Sequence, residues 1–526
     1  MPSRQNSSEY KPLTFSTTVR NPSRIKEVLN IISKFEGQIL TNALSIEIFK
    51  NVIKEKKYQV ISAWSNPITR HLKSKYSSED VFTDNEVELI MENNPQNHKQ
   101  RDFQHGYPSR FQTFFDIHRQ FGFFYYSRPG MNDELAEEIK ISDLGKKLLL
   151  CDQDNVGAFD TSELETNIFA HALTKYHGDN PFIKRKNKNI PLILLAKVIK
   201  LLNADDELIG KGKGISKKEI ALLLVWRDDD ADSLYKSIKK LRLENRYPIS
   251  DEVILDACDS YQPRWASWQD HSMLIDIPDD FIRKMRITGL FSLRGGGRYL
   301  DINKIKQDKL DYILSSYLEC RSFSSELDYF NYSSEIDENI LNLEEDLILI
   351  GDDYKLDYWV QHYSWESVKK EIESFSNKSG CKDPILKLMD RPVRSEFLCT
   401  LALKHQLKNV EILPRYKIDD EGIPYTHAPG NGPDIECTTS EASVLLEVTL
   451  HTSGQQLTFE GPQTKRHLEN YKSLNPSKIT SCWFVAPQIH QDFLAWAEFQ
   501  ISVKENHYLA LSFDQFISKI KSSNTI

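Results

Sequence analysis

Two acidic residues stand within apolar segments near the end of the 526-residue chain. Asp434 precedes the segment IECTT, and Glu447 follows within SVLLEVTL. A carboxylate inside so apolar a strand is unfavourable unless it is paired or bound to a metal. Carboxylates on neighbouring strands, together with a backbone carbonyl, would form the oxygen-rich site that Mg²⁺ prefers. Because water bound to such an ion can attack a phosphodiester, the pattern predicts a metal-dependent nuclease with Asp434 and Glu447 as metal ligands.

The strand that carries Glu447 alternates between two faces. One face is predicted to hold Ser443, Leu445, Glu447 and Thr449, and the other Val444, Leu446, Val448 and Leu450. The surrounding segments predict helix, three strands, helix, strand, helix, strand and helix: VRSEFLCTLALKHQL, VEILPRYKI, PDIECTT, SVLLEVTL, PQTKRHLENYKSL, CWFVAP, QDFLAWAEF, YLALSF and DQFISKIKS. A meander of three strands followed by crossovers describes an α/β sandwich. We therefore predict a C-terminal α/β nuclease domain of the PD-(D/E)xK type over residues 381–526.

Four blocks of this region follow one another in the order THAPGNGPDIE, LLEVTL, FEGPQTKRHL and CWFVAPQI. In order and spacing they resemble the cleavage domain of the AlwI-type family of type IIS restriction endonucleases, which includes site-specific nicking enzymes. Two further segments, LTFSTTVRNPSRIKEVL (13–29) and RITGLFSLRGGGRYL (286–300), resemble the N-terminal opening of that family and the wing of its recognition region. The resemblance thus covers both ends and the middle of the chain.

The resemblance places the catalytic acids of the family at four positions: Asp434, Glu447, Glu460 and Glu396. The lysine that commonly follows the second acid by two residues is Thr449 here, a departure that the family shares. The role of that lysine stays open between Glu460, as a ligand or base, and Lys465 or His467, as a positive group. For Glu396 the alternative is a surface position on a helix, and for His427 and His467 it is structural hydrogen bonding.

Residues 166–320 carry the elements expected of a second DNA-recognition domain, with helix-turn-helix or winged-helix character. GISKKEIALLLVW (214–226) shows a helical apolar stripe behind Ser216, and DSLYKSIKKLRLE (232–244) shows another behind Asp232. Two short helices joined by a turn predict a helix-turn-helix, whose second helix carries four basic residues: Lys236, Lys239, Lys240 and Arg242. Lys239, Lys240 and Arg242 are the predicted contacts to DNA. The alternative is that this basic face is a solvated surface.

A hairpin is predicted within FIRKMRITGLFSLRGGGRYLDI (281–302), where a run of three glycines supplies the turn. Arg294 and Arg298 flank its tip and are expected to probe a minor groove or a phosphate. Because no lysine follows the glycines in phosphate-loop spacing, the run does not indicate a nucleotide site.

Residues 1–165 are predicted to form an N-terminal, winged-helix-like DNA-recognition domain. FQTFFDIHRQFGFFYYS (111–127) and KISDLGKKLLL (140–150) predict helix, strand, turn, strand and helix, with Gly122 opening the first strand and Ile139 and Ile141 alternating on the second. The aromatic rings are expected in the core. The alternative is that they meet a nucleic-acid backbone beside Arg110, Arg119 and Arg128.

Residues 321–380 are rich in Glu, Asp, Ser and Tyr, and apolar positions between Ile336 and Ile348 predict helices. We expect a helical acidic linker whose negative charge keeps it away from phosphates. The net charge of −9 does not exclude a nucleic-acid partner. Basic residues cluster locally at 184–188, 211–218 and 239–242, and local sign decides such contacts.

The composition, 40% hydrophobic and 27% charged, excludes wholesale disorder. At about 150 residues per domain, the length suggests three or four domains. The seven cysteines are scattered without a CxxC pair, which favours free thiols over a zinc ribbon or a disulfide framework. We see no secretory signal, and the apolar stretch 190–202 is interrupted by lysines and too short to span a membrane. A cytoplasmic, bacterial protein is expected.

These observations and the resemblance together predict a type IIS restriction endonuclease. It would bind a short asymmetric double-stranded DNA sequence and hydrolyse phosphodiester bonds a few bases outside it with Mg²⁺. A single catalytic centre cuts one strand per engagement, so double-strand cleavage would require a second copy or a small subunit, and nicking stays open. The resemblance alone implies a cognate DNA methyltransferase.

Two other classes of protein were weighed against this prediction. The first is a non-cleaving, sequence-specific DNA-binding protein with a nuclease-like fold, against which the intact acids argue. The second is a glycoside hydrolase, which needs paired acids beside aromatic platforms. The aromatic residues here cluster far from the acids in sequence, so the second class is disfavoured.

Overall fold

The structure is a computed structural model. It describes residues 12–15, 17–78, 80–95, 107–130, 132–151, 162–183, 187–208, 214–245, 248–262, 270–294, 297–341, 351–376, 381–383, 385–428, 432–504, 507–523 and 525–526. Contacts divide the chain into two compact units, Met1–Leu293 with Gly297–Asp346, and Leu347–Ile526 with Arg294–Gly296. The basic residues at 184–186, 211 and 213, and the hairpin glycines 295 and 296, lie outside the described residues. Among the described helices, none has both the length and the apolarity to cross a bilayer.

The described part of the first unit is mainly helical. Its helices are α1 (Ser23–Ser33), α2 (Asn42–Lys54), α3 (Lys73–Tyr76), α4 (Asp84–Asn93), α5 (Tyr107–Gln120), α6 (Asp143–Leu150), α7 (Glu163–Thr174), α8 (Pro191–Ala204), α9 (Ile220–Val225), α10 (Ala231–Glu244), α11 (Asp251–Tyr261), α12 (Ile277–Ile287), α13 (Gln307–Ser316), α14 (Glu326–Ser334) and α15 (Glu338–Leu341). One small sheet pairs β1 (Phe124–Tyr125) with β2 (Lys140–Ile141), and another orders β3 (Ile215–Ser216), β5 (Tyr299–Ile302) and β4 (Phe291–Arg294) side by side. A continuous apolar core runs through most of these elements, and Tyr329 and Phe330 of α14 pack in a smaller cluster with Tyr125 and Phe182.

The predicted order of helix, two strands and helix is present as α5, β1, β2 and α6, with β1 and β2 antiparallel. Gly122 does not open β1, as we expected, but lies in the preceding turn with φ +75°. A Cβ at that position would come within 2.7 Å of the backbone of α14 at Ser333. The turn therefore requires glycine twice, for its left-handed backbone and for its close approach to a neighbouring helix.

The aromatic residues of 111–127 lie in the core, as expected. Phe114, Phe121 and Tyr126 have no exposed surface. Arg119 among them is also fully buried, and its guanidinium pairs with Asp116 at 3.1 Å. Because these rings are buried, the structure does not support their contact with a nucleic-acid backbone.

The two predicted helices of the second region are present as α9 and α10, but their starts differ from the prediction. Strand β3 occupies residues 215–216, so α9 begins only at Ile220. The cap of α10 is Asp230, whose side chain accepts a hydrogen bond from the Ser233 N–H at 2.9 Å, and not Asp232. Several aspartates precede this helix, and only the backbone geometry selects the one at the N-cap. The predicted hairpin is present as β4 and β5.

The second unit is an α/β fold with helices on both faces of one sheet. Its elements are α16 (Gly351–His362), α17 (Trp365–Ser376), α18 (Arg391–Gln406), β6 (Glu411–Pro414), β7 (Lys417–Ile418), β8 (Pro424–Thr426), β9 (Ile435–Thr438), β10 (Ala442–Val448), α19 (Gly461–Leu474), β11 (Ile479–Ala486), α20 (Gln491–Lys504), β12 (His507–Ser512) and α21 (Phe513–Ser522). The order of elements predicted from α18 onwards is confirmed, apart from the small additional hairpin β7–β8.

The main sheet of this unit has the strand order β12-β11-β10-β9-β6. Strands β6, β9 and β10 form the antiparallel meander, and β10, β11 and β12 are parallel, as crossover helices require. The predicted alternation on β10 is confirmed. Val444 and Leu446 pack into a core with α16–α18 and α21, whereas Leu445 packs on the opposite face with residues of α19 and α20.

The predicted acidic linker over 321–380 is not a separate element. Helices α16 and α17 contribute Trp359, Val368, Ile372 and Phe375 to the core that α18 and β10 share. The three positions 368, 372 and 375 follow helical spacing, so an amphipathic stripe buries this face despite the acidic composition. The second unit consequently begins well before the predicted boundary at residue 381, and α14 and α15 belong to the first unit. The apolar positions 343, 347 and 348 lie outside the described residues.

Candidate active site

Asp434 and Glu447 occupy facing positions on two antiparallel strands. Ile435 of β9 pairs with Leu446 of β10, and extending this register by one residue places Asp434 opposite Glu447. Directly opposite residues have Cβ atoms about 5 Å apart on the same face of a sheet. The backbone N–H of Val448 donates to Asp434 Oδ2 at 2.7 Å, which fixes that carboxylate beside β10. The structure thus brings the two predicted metal ligands together.

Glu447 lies on the face of β10 that α19 covers. Its side chain is 9% exposed, and its Oε1 is 2.7 Å from Nδ1 of His467, which is itself 1% exposed. A buried carboxylate held by a ring nitrogen has one defined rotamer and one oxygen committed to that contact. The other oxygen is left for a further ligand.

Glu396 is a buried residue of α18, and the expected alternative of a surface carboxylate does not hold. It is 3% exposed. Its Oε1 is 2.8 Å from Nδ1 of His427, and its Oε2 is buried without a hydrogen-bond partner. His427, which follows β8, is half exposed. The two residues are 31 positions apart, and the sequence held no signal for their pairing.

Glu460 and Thr449 complete the group. Glu460 lies at the end of a π-helical turn, Gln456–Glu460, which leads into α19. The Thr449 hydroxyl donates to Glu460 Oε1 at 3.1 Å, and the ring of His451 lies 4.0 Å from the same oxygen. Lys465, a sequence candidate for the missing positive group, pairs instead with Glu469 at 3.6 Å. Thr449 therefore orients Glu460 from the position that a lysine commonly takes.

The pKa values of these acids depend on burial and on the charges of the neighbouring acids. Burial raises the pKa of Asp434 well above its ordinary value, and the charges of Glu447 and Glu396 raise it further. Burial likewise raises the pKa of Glu447, with contributions from Glu460 and Glu396. Burial also raises the pKa of Glu396, although the His427 hydrogen bond opposes this. Like charges in a shared low-dielectric site disfavour simultaneous ionisation, so protons or a cation would relieve the cluster.

The donor set fits a hard divalent cation. Carboxylate oxygens are the ligands that Mg²⁺ prefers, and it usually keeps several waters beside one or two protein carboxylates. Asp434 and Glu447 provide two such groups on one face, and the buried Oε2 of Glu396 lacks a protein partner. Within the described ranges, no group of three or more His, Cys, Asp or Glu side chains is arranged to hold a metal ion. A site with two carboxylates and water is the arrangement that these residues support.

The AlwI restriction endonuclease family model matches residues 119–350 and 370–510, which include all four acids. The chain belongs to the AlwI restriction endonuclease family. The resemblance inferred from the sequence blocks is thereby confirmed.

Solved structures of restriction endonucleases also show similarity to this AlwI-family chain. One is the small subunit of the heterodimeric restriction endonuclease R.BspD6I, with 23% identity, TM-score 0.25, and coverage of 30% of this chain and 80% of that one. Another is the restriction endonuclease FokI, with 12% identity, TM-score 0.21, and coverage of 98% of both chains. FokI bound to DNA matches with 12% identity and TM-score 0.20 over 98% of this chain and 97% of that one. A comparison with curated proteins gave no match.

Lys239, Lys240 and Arg242 on α10 of this AlwI-family protein differ in exposure, and among these three Lys240 is the well exposed one. Its side chain is 71% exposed. Lys239 pairs with Asp205 and Glu207, each at 2.8 Å, and these hydrogen bonds raise its pKa. Arg242 is completely buried and forms a bidentate pair with Glu219, so the predicted DNA contact is wrong for this residue. Its burial was visible in the sequence, because Leu234, Ile238 and Arg242 share one helical stripe.

The two arginines of the hairpin also differ in exposure to solvent. Arg298 is exposed, as a residue that contacts DNA must be. Arg294, which the contacts group with the second unit, is 4% exposed and donates to Asp419 Oδ2 and Glu421 Oε1, each at 2.5 Å. Its guanidinium is therefore committed to two carboxylates, in contrast to the exposed probe that we predicted.

Proposed function

We propose that this AlwI-family endonuclease is of type IIS. It binds a short asymmetric duplex sequence through its first unit, and its second unit hydrolyses phosphodiester bonds a few bases outside that sequence with Mg²⁺. The observation that carries the proposal is the β9–β10 register, which sets Asp434 opposite the buried Glu447. Acids of like charge that are close together and partly buried are unfavourable for folding. Binding of a cation and a phosphodiester accounts for their presence at this position.

The acids of the second unit and the groups that contact them then have distinct proposed roles. Asp434 and Glu447 hold the cation, which when bound supplies an acidified water and neutralises charge on the leaving oxygen. The Val448 N–H and the His467 ring orient these two carboxylates. Thr449 orients Glu460 at the rim of the site. The products are a 3′-hydroxyl and a 5′-phosphate, in line with the family resemblance.

In the first unit, the proposed contacts to DNA are made by exposed basic residues. Lys240 on α10 and Arg298 beside the hairpin tip carry charges that the structure leaves accessible. Such contacts to phosphates give affinity and position, and a few base-edge contacts add the sequence preference. The winged-helix-like elements α5–β1–β2–α6 are part of this proposed recognition surface.

The test is cleavage of supercoiled plasmid DNA by purified protein with MgCl₂. Wild type and Glu441→Ala, a control at the exposed turn before β10, should give nicked or cut plasmid, and Asp434→Ala and Glu447→Ala should not. Equal cleavage by all four proteins would refute the site. A sequence-specific mobility shift without scission under Mg²⁺ or Mn²⁺ would favour the non-cleaving DNA-binding alternative.

Strandedness depends on how many sites meet at the DNA. A single catalytic centre cuts one strand per engagement, so we propose that double-strand cleavage requires a second copy or a small subunit. Run-off sequencing of both strands after digestion would give the target, the offset and the strand cut in one experiment. A cognate DNA methyltransferase that protects the target in the host completes the proposal, and expression with and without it tests this point.

A further inference from the structure

Three glutamates of the acid cluster each have a histidine ring nitrogen within 4.0 Å. Glu447 pairs with His467, Glu396 with His427, and Glu460 lies 4.0 Å from His451. These histidines differ in what they can reach. His467 is 1% exposed and enclosed between α19 and β10, so its ring serves to hold Glu447. The contact of His451 with Glu460 is too long for a hydrogen bond.

His427 alone combines a short contact with access to solvent. Its Nδ1 lies 2.8 Å from Glu396 Oε1, and half of its side chain is exposed. An ionised carboxylate only accepts hydrogen bonds, so a neutral His427 ring that donates from Nδ1 to Glu396 presents Nε2 as a proton acceptor. A buried acid behind an exposed imidazole is the arrangement that orients histidine bases in hydrolytic enzymes.

Glu396 lies on α18, which packs against β10, the strand that carries Glu447. The charge of Glu396 also contributes to the raised pKa of both Asp434 and Glu447. Thr449 stands where a lysine would assist the attacking water, and its hydroxyl is engaged with Glu460. The attacking water must still lose a proton, and Asp434 and Glu447 are the proposed ligands of the cation.

We propose that His427 accepts the proton of the attacking water and that Glu396 is the positioning residue that orients it. This inference rests on the nuclease function proposed above. The water O–H bond breaks and its proton passes to His427 Nε2, while the water oxygen forms a bond to phosphorus. The bond from phosphorus to the 3′-oxygen breaks, and this oxygen takes a proton from solvent. His427 then returns its proton to solvent, which restores the starting state.

The experiment uses full-length protein in excess over supercoiled plasmid, with MgCl₂, under single-turnover conditions. His427→Ala should lower the cleavage rate by roughly 100-fold or more, the usual contribution of a general base. Added imidazole should accelerate this variant and leave wild type unchanged. His507→Ala, which removes an exposed histidine at the start of the edge strand β12, should cleave at the wild-type rate.

Two further measurements separate this role from folding or metal binding. MgCl₂ alone should raise the thermal midpoint of His427→Ala as much as that of wild type, and Asp434→Asn should lose this shift. In the His427→Ala background, Glu396→Gln should cost little more, because a positioning residue acts through the ring it orients.

The proposed roles of His427 and Glu396 would be contradicted by the following outcomes. His427→Ala at the wild-type rate, or a slow variant that imidazole does not accelerate, would overturn the role of His427. Additive losses in the double variant would overturn positioning by Glu396. A wild-type protein that cuts no DNA would instead remove the proposed nuclease function, and this inference would fall with it.

Discussion

The buried pair of Arg242 and Glu219 offers a sharp test of which basic residues of α10 serve the fold. Both side chains are at most 1% exposed. Arg242 donates to the two oxygens of Glu219 at 2.8 and 2.7 Å and to the Gly214 carbonyl at 2.8 Å. Removing one partner of such a pair leaves an uncompensated buried charge and costs about 3–5 kcal/mol. Since whole domains are stable by only about 5–15 kcal/mol, Arg242→Ala should lose a large share of the stability.

Urea unfolding followed by circular dichroism measures this loss directly. Lys240→Ala is the matched control on the same helix, and with 71% of its side chain exposed it should change the free energy of unfolding by less than about 0.5 kcal/mol. Adding Glu219→Gln to Arg242→Leu should recover about 1–2 kcal/mol relative to Arg242→Leu alone, because the unpaired group is then neutral. The reasoning would be refuted by an Arg242→Ala protein of wild-type stability that binds DNA poorly.

Three other predictions follow from the structure. Gly122→Ala should destabilise the protein by clearly more than Gly37→Ala in urea unfolding: both glycines have positive φ, but a Cβ at 122 meets backbone at 2.7 Å and one at 37 meets nothing within 4 Å. Burial raises the pKa of the Asp434 carboxyl in the folded protein. The protonated carboxyl therefore contributes stability at pH values below its pKa in the unfolded chain, near 4. This contribution is lost as the pH rises through the higher pKa of the folded protein. In EDTA, Asp434→Asn should therefore raise the thermal midpoint at pH 8 and have little effect at the acidic end, and an unchanged midpoint at pH 8 would contradict this. Lys240→Ala and Arg298→Ala should each lower the slope of log affinity for DNA against log salt by about 1, and an unchanged slope would show that the residue makes no phosphate contact.

Much of the second unit could be predicted because its strands alternate strictly. The period-two pattern through Leu445, Leu446 and Glu447 fixed which side chains meet which core, and turn residues marked the strand ends. The small β7–β8 hairpin was missed because its strands are only two and three residues long, too short for any periodicity. The acidic composition of 351–376 concealed an amphipathic stripe, because overall charge and the spacing of apolar residues are independent properties.

The site was predictable where residues are close in sequence or on adjacent strands. Asp434 and Glu447 meet because a tight connection joins β9 to β10, and that proximity follows from the meander. The pairing of Glu396 with His427 depends on how α18 packs against the end of the sheet, which no local pattern encodes. The burial of Arg242, in contrast, could be predicted from local sequence. A charged residue at a buried helical position indicates an internal ion pair, and the four-residue spacing from Leu234 and Ile238 already contained that information.

The absence of lysine at position 449 has a physical consequence for the whole site. A lysine there would carry a permanent charge that offsets the carboxylates at every pH of interest. Histidine partners do so only when protonated, so neutralisation of this cluster depends on the medium and on what binds. Metal-free protein at alkaline pH must therefore hold its raised-pKa acids at a cost in folding stability, and a divalent cation should stabilise it most under those conditions. The proposed role of His427 uses the same arrangement, because an exposed imidazole can accept a proton in its neutral form, which a lysine ammonium could not do.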